Sequence, residues 1–229
     1  DIIHEISKIK KLKRIRYTTS HPIDFTNDLI NTHASSNKLM PLIHLPVQSG
    51  SNKILKSMNR KHTIKDYLTL VNKLKKINPN IKFSSDFIIG FPGETEIDFN
   101  ETVKLMKEVE YINSFSFIFS PRPGTPAAKM IKVEDSLSKK RLKIFQEIAG
   151  GIKLKYRKNL FGKKALVLFE NRMKNTNKFF GRDEYSNAVV VRSDEDLIGK
   201  IKEVKIVNGN QNTLFGEDYH KFNKKEYAA

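Results

Sequence analysis

The chain has 229 residues, no cysteine, and a formal net charge of +17 from 42 Lys+Arg against 25 Asp+Glu. Its length suits one large domain or two ordinary ones, and 38% hydrophobic residues, with no apolar run near the ~20 residues that span a bilayer, describe a soluble protein. Without cysteine these residues form no disulfide, offer no thiolate nucleophile and hold no cysteine-ligated metal or iron–sulfur cluster, and the six His show no metal-ligand spacing.

The opening segment, DIIHEISKIKKLKRIRY, is amphipathic and begins at Asp1. It has no leader pattern, and the missing initiator Met predicts a processed product or a fragment. Four apolar stretches follow, RIRYTTSHP, PLIHLPVQSGS, KFSSDFIIGFPGE and SFSFIFSPRPGT, each expected as a strand. Between the second and third, Thr63 caps a helix with Asp66 three residues on, and Ile64, Tyr67, Leu68, Val71 and Leu74 fall on one face. Thr95 and Asp98 repeat that start, with Phe99, Val103, Met106 and Val109 as the stripe. The order β-α-β-α-β predicts a parallel sheet with right-handed crossovers. A basic helix is expected from Ser136 to about Arg157, broken or kinked at Gly150 and Gly151, which cost roughly 1 kcal/mol each relative to Ala. After Leu160, short β-branched stretches separated by Gly, Asn and Asp predict a small antiparallel barrel, with a domain boundary near Asn159.

The charge points to a polyanionic partner, most simply nucleic acid, since basic surfaces gain affinity by releasing counterions from phosphates. Residues 1–159 hold 29 Lys+Arg against 15 Asp+Glu, and residues 160–229 hold 13 against 10, so the excess belongs mainly to the first part. Each strand of that part ends in a polar or Gly/Pro cluster, and in parallel α/β sheets the carboxyl ends of the strands converge on the ligand. The phosphate-binding GxxxxGK[ST] and GxGxxG patterns and the GxSxG nucleophile elbow are absent.

The runs RIRYTTSHPIDFTNDLI, HLPVQSGSNKILKSMNRKHT, SSDFIIGFPGETEIDF and FSFIFSPRPGTPAAKM resemble the tRNA methylthiotransferases of the radical S-adenosylmethionine superfamily. The closing segment, with LFGKKALVLFE, GRDEYSNAVVV and IGKIKEVKIVNGNQNTLFGE, is similar to their RNA-binding TRAM barrel. The resemblance implies an α/β fold: the later strands of a partial (β/α) barrel over 1–159, then a small OB-like barrel over 160–229. It implies methylthiolation at C2 of an isopentenylated adenosine beside the anticodon, using S-adenosylmethionine and two [4Fe–4S] clusters. Partners would be the tRNA anticodon stem-loop and an electron donor, in the cytoplasm. The family's cluster-binding cysteines do not occur in these residues, so this chain alone is expected to be inactive. Two other readings remain open: an RNA-binding module without catalysis, and an unrelated phosphate-binding α/β-barrel enzyme.

By the same resemblance, Gly90 and Phe91 would approach the adenine, Gln48, Ser49 and Asp86 would reach the ribose or methionyl part, and Arg60 and Arg122 would pair with a carboxylate or phosphate. In the barrel, one of Phe179 and Phe180 is expected in the core; Phe180 with Arg182 would stack bases, and Lys163, Lys164, Arg172 and Lys178 would meet phosphates.

Overall fold

Pro41 and Pro46 bracket the first strand of the parallel sheet, β1 (Leu42–His44), and hold it to three residues because proline donates nothing to a ladder. The structure, a computed structural model, describes residues 2–18 and 21–218. Two members of the first expected strand-end cluster, Thr19 and Ser20, lie outside them, as do Asp1 and residues 219–229. β1 pairs in parallel with β2 (Lys82–Ile89), which pairs in parallel with β3 (Asn113–Ile118), in the order β1-β2-β3. Past Pro46 the ladder is patched by a side chain: Ser85 Oγ accepts from the Val47 amide at 3.0 Å and donates to the Leu45 carbonyl at 2.8 Å. Pairing then resumes at Gln48, whose amide donates to the Asp86 carbonyl and whose carbonyl accepts from Ile88.

The first apolar stretch, expected as a strand, is reduced to a single parallel bridge, Ile15 with Leu39. Ile15 is buried while Arg16 is exposed, so the stretch offers one apolar anchor and little else to the sheet. The crossover helices follow the sequence pattern. Helix α4 (Ile64–Ile77) and helix α5 (Glu96–Val109) each start on a complete capping box, Thr63 with Asp66 and Thr95 with Asp98. Their apolar stripes, including Tyr67, Val71, Leu74, Phe99, Met106 and Val109, meet Phe83, Phe87 and Ile89 of β2 in one core. Within it the buried Tyr111 hydroxyl donates to that of Tyr67, which donates to the Leu45 carbonyl. Three shorter helices precede α4: α1 (Ile2–Ser7), α2 (Asn27–Ser35) and α3 (Asn52–Ser57).

Helix α6 (Asp135–Lys158) runs unbroken through Gly150 and Gly151, contrary to the expected break. Phe145, Leu142, Ile148 and Ile152 pack on the core around the glycines, and that burial outweighs their backbone entropy. The chain divides into two compact units at Ile152/Lys153, inside this helix.

The second unit is a closed barrel of β4 (Lys164–Arg172), β5 (Lys178–Arg182), β6 (Ala188–Arg192), β8 (Leu214–Asp218) and β7 (Ile201–Gly209), in that spatial order. All pairings are antiparallel except β6 with β8, and closure removes the sheet edges. Val167, Phe169, Phe179, Val189, Val191, Val204, Ile206 and Leu214 fill the interior. The β5–β6 connection is set by the buried Asp183, which accepts from the Tyr185 and Asn187 amides and the Asn187 side chain at 2.8–2.9 Å. That loop fixes the hairpin register, and with it which outer residues face each other. Among the described residues no helix is long and apolar enough to cross a membrane.

Candidate functional site

Alternation along β2 divides its side chains. Phe83, Phe87 and Ile89 enter the helix-covered core, while Ser84 and Asp86 sit on the opposite face, where Asp86 stays half-exposed. There His44 Nδ1 lies 3.0 Å from Ser84 Oγ, and its Nε2 lies 3.4 Å from Asp86 Oδ2. Register brings Phe115 of β3 opposite Asp86, and its ring meets the His44 ring edge-on at 6.3 Å. Phe115 and Phe117 are 48% and 58% exposed, so this face presents aromatic surface beside polar groups. Arg60, half-buried after α3, feels the field of Asp86, although burial is the larger effect and lowers its pKa.

Gln48 completes the group from the loop after β1. Its φ of +77° lies in the left-handed region, which costs a non-glycine residue about 1 kcal/mol or more, and its two backbone bonds to β2 hold it there. Gln48, Arg60 and Asp86 therefore gather past the carboxyl end of β1, beside the middle of β2, joined by His44, Ser84 and Phe115, which no motif marks. The alternation of Phe115 and Phe117 with Ser114 and Ser116 is the signal that marks that face.

The remaining expected residues stand elsewhere. The buried Ser49 hydroxyl faces α5, 3.3 Å from Thr102 Oγ1, and accepts from the Ser51 amide. Ser51 and Lys53 reach Asp98, and although burial works to raise that carboxyl, the hydrogen bonds from Lys53, Thr95 and Ser51 hold it well below the ordinary range. At Gly90 the φ is +71° and an added Cβ would sit 2.3 Å from Ser138 Oγ of α6, so only glycine fits. Its amide donates to the Glu94 carboxylate, and Phe91 is buried with its ring edge-on to Phe119 at 4.9 Å. Arg122 is exposed on the loop after β3, where its carbonyl accepts from Thr125.

On the barrel, Phe179 is the core residue, 2% exposed, and Phe180 lies on the outer face under the Arg182 guanidinium at 5.2 Å. Glu170 lies 3.3 Å from Arg182. Arg172 Nε donates to the Thr176 carbonyl, Lys164 pairs with Glu203 at 2.7 Å, Lys163 is exposed in the turn before β4, and Lys178 faces Arg192 across β5 and β6.

The polar group around Asp86 fits a nucleoside cofactor: a half-exposed carboxylate for hydroxyls, a guanidinium for a carboxylate, and aromatic surface alongside. Iron–sulfur clusters are a different case, because they are held by thiolates and these 229 residues contain none. The described residues also contain no group of three or more His, Asp or Glu placed to hold a metal ion.

Residues 1–106 match the radical SAM superfamily and residues 159–217 match the TRAM domain. Among curated proteins, the tRNA-2-methylthio-N(6)-dimethylallyladenosine synthase of Pelagibacter ubique (strain HTCC1062) is 55% identical over 217 residues, covering 95% of this chain and 49% of that protein. Its namesake in Wolbachia pipientis subsp. Culex pipiens (strain wPip) is 48% identical, covering 94% and 50%. Among solved structures, coproporphyrinogen III oxidase (HemN) from Escherichia coli, titled a radical SAM enzyme, superposes with a TM-score of 0.49 at 16% identity, over 60% of this chain and 32% of its own. The chain spans about half the length of the curated relatives it matches. Its first 106 residues are thus similar to proteins of the radical SAM superfamily, and residues 159–217 to TRAM domains.

Proposed function

We propose that this chain supplies the cofactor-facing wall and the RNA grip of a tRNA methylthiotransferase acting at C2 of N6-isopentenyladenosine beside the anticodon. The names of its relatives support the substrate, and one observation carries the reading: Gln48, Arg60 and Asp86 gather past the carboxyl end of β1, beside β2 of a parallel sheet, within the segment that matches radical SAM proteins. S-adenosylmethionine bound there supplies the radical-generating and methyl-donating chemistry. Toward it, Asp86 accepts hydrogen bonds from ribose hydroxyls, Gln48 adds an amide, and Arg60 pairs with the methionyl carboxylate as a charge-assisted fork. The hydrogen bond from Gly90 to Glu94, with Ser138 packed close against Gly90, shapes the loop that carries Phe91, on the adenine side. Arg122 serves the substrate phosphates, while Ser49 contributes by holding the Gln48 loop against α5.

The two [4Fe–4S] clusters, and an electron donor that reduces one of them, depend on thiolates outside these residues, so the chain alone is inactive. Residues 160–229 hold the tRNA anticodon stem-loop through Lys163, Lys164, Arg172, Lys178, Phe180 and Arg182, in the cytoplasm.

Calorimetric titration of the chain with S-adenosylhomocysteine tests the site. Asp86→Ala and Arg60→Ala should each weaken binding roughly tenfold or more, the worth of a hydrogen bond to a charged group, while leaving affinity for an anticodon stem-loop RNA unchanged. Retention of full nucleoside affinity in both variants would remove the site from this sheet face.

A further inference from the structure

We propose that Phe180, Val190 and Phe215 form a stripe on the outer face of the barrel that stacks unpaired bases of a single-stranded RNA segment. The proposal rests on the RNA-binding reading above and deepens it, since Val190, Phe215 and Arg192 were not among the residues expected to touch RNA.

Strand alternation separates the two faces. Phe179, Val189, Val191 and Leu214 point into the core, so their neighbours Phe180, Val190 and Phe215 point outward. Register then lines up these three residues across consecutive strands: Phe180 stands opposite Val190 in β5–β6, and Val190 opposite Phe215 in β6–β8. Val190 is not part of the interior cluster yet is only 9% exposed, and in register it has a phenylalanine on each side. Phe215 keeps 38% of its surface in solvent. An apolar row that crosses three strands on the outside of a closed barrel contributes nothing to the barrel's own core. It is a surface shaped for contact.

The charges around the stripe select the occupant. Lys178 and Arg192 stand directly opposite each other beside it, and like charges so placed are unfavourable in the free protein. An RNA phosphate at that spot relieves the repulsion, whereas an apolar peptide does not. Arg182 over the Phe180 ring extends the flat surface, since a guanidinium plane also stacks on bases. With neighbouring strands ~4.8 Å apart, the two phenylalanines lie about 10 Å from each other. That spacing suits splayed bases, each free to meet a ring. A duplex keeps its base faces stacked inside, except at its ends, and presents its sides as phosphates, 2′-hydroxyls and groove edges, so along its length it engages the cations but not the stripe.

The test compares the 229-residue chain and its variants on two RNAs, a hairpin with a single-stranded loop and a blunt duplex of the same stem, across a KCl series. Phe215→Leu and Phe180→Leu should each weaken hairpin binding roughly tenfold, with duplex affinity and the salt slope unchanged, and Phe215→Tyr should restore binding. Lys178→Ala should weaken both RNAs and lower the salt slope by about 1. Hairpin affinity insensitive to both leucine variants, in proteins melting at the wild-type temperature, would overturn the stripe while leaving the tRNA reading standing on charge. If the unaltered chain bound neither RNA, the tRNA reading would fall too. Sedimentation showing that Phe215→Leu dissociates a dimer of the free chain would instead make the stripe a self-association surface, and would also overturn the proposal.

Discussion

Arg141 shows how one residue holds the loop that follows β2. Its buried guanidinium donates from Nη1 to the Glu94 carboxylate at 3.0 Å and to the Glu94 carbonyl at 3.2 Å, while Nη2 reaches Glu96 at 3.0 Å. The same Glu94 carboxylate accepts from the Gly90 amide, so one ion pair links α6 to both ends of the turn. Burial pushes the Glu94 carboxyl up from its ordinary value, against the opposing pull of the Gly90 N–H and the Arg141 charge. Removing the arginine therefore strands an acid where water does not compensate it. Arg141→Met should cost about 3–5 kcal/mol in urea-induced unfolding, the usual consequence of breaking a buried pair from one side. The double variant Arg141→Met/Glu94→Gln should recover more than half of that loss, because glutamine still accepts from Gly90 and carries no charge. Equal losses in the single and double variants would show that the ion pair does not hold the turn.

At the level of elements, α6 is where propensity and packing disagree. Gly150 and Gly151 read as a break because each loses more backbone entropy than alanine in a helix. The helix persists because residues on both sides of the pair bury their side chains in the first unit's core. Gly151 itself is exposed, and a Cβ built there meets nothing within 4 Å. Gly151→Ala should thus raise stability by about 1 kcal/mol, seen as a higher melting temperature; an unchanged or lower value would mean that the glycine serves a conformation other than this continuous helix. The helices bounded by Thr63 and Thr95 were legible because capping residue and apolar stripe agree within a dozen positions. Harder to read was anything set by pairing between distant segments. That Ile15 makes one bridge, that His44 meets Asp86 across β1 and β2, and that Phe180 and Phe215 share a row through Val190 all depend on register. Gln48, Asp86 and Arg60 could be named from motif resemblance, but His44 lies in no turn or glycine cluster, and only the sheet shows which face it occupies.

Across the whole molecule, the two units respond to acid with opposite sign. In the first, burial lowers the pKa of His33 to about 4, with Nε2 held 2.6 Å from the Tyr17 hydroxyl. His62 is likewise lowered to about 4, by burial first and then by the charges of His21 and Arg60. Both stay neutral in the folded unit while the unfolded chain binds protons near the ordinary value of 6.5. Stability of this unit is therefore lost as pH falls from about 6.5 toward 4, by about 3 kcal/mol for each buried ring. His21 is lowered as well, by burial first, and adds to them, while Glu94, raised by burial, opposes them. In the second unit, burial raises Asp183 from 3.8 to about 6, despite the hydrogen bonds from Asn187 and Tyr185 that favour its charged form. The folded barrel then holds a proton that the unfolded chain releases near pH 4, so this stabilisation is full in acid and is lost as pH rises through about 6, again on the order of 3 kcal/mol. Between pH 6.5 and 4.5, native-state hydrogen exchange corrected for intrinsic rates should show protection falling in β2 and α5 and rising in β5 and β6. Protection moving in the same direction in both sets of strands would mean that the buried groups do not set the pH response, or that the two units open as one.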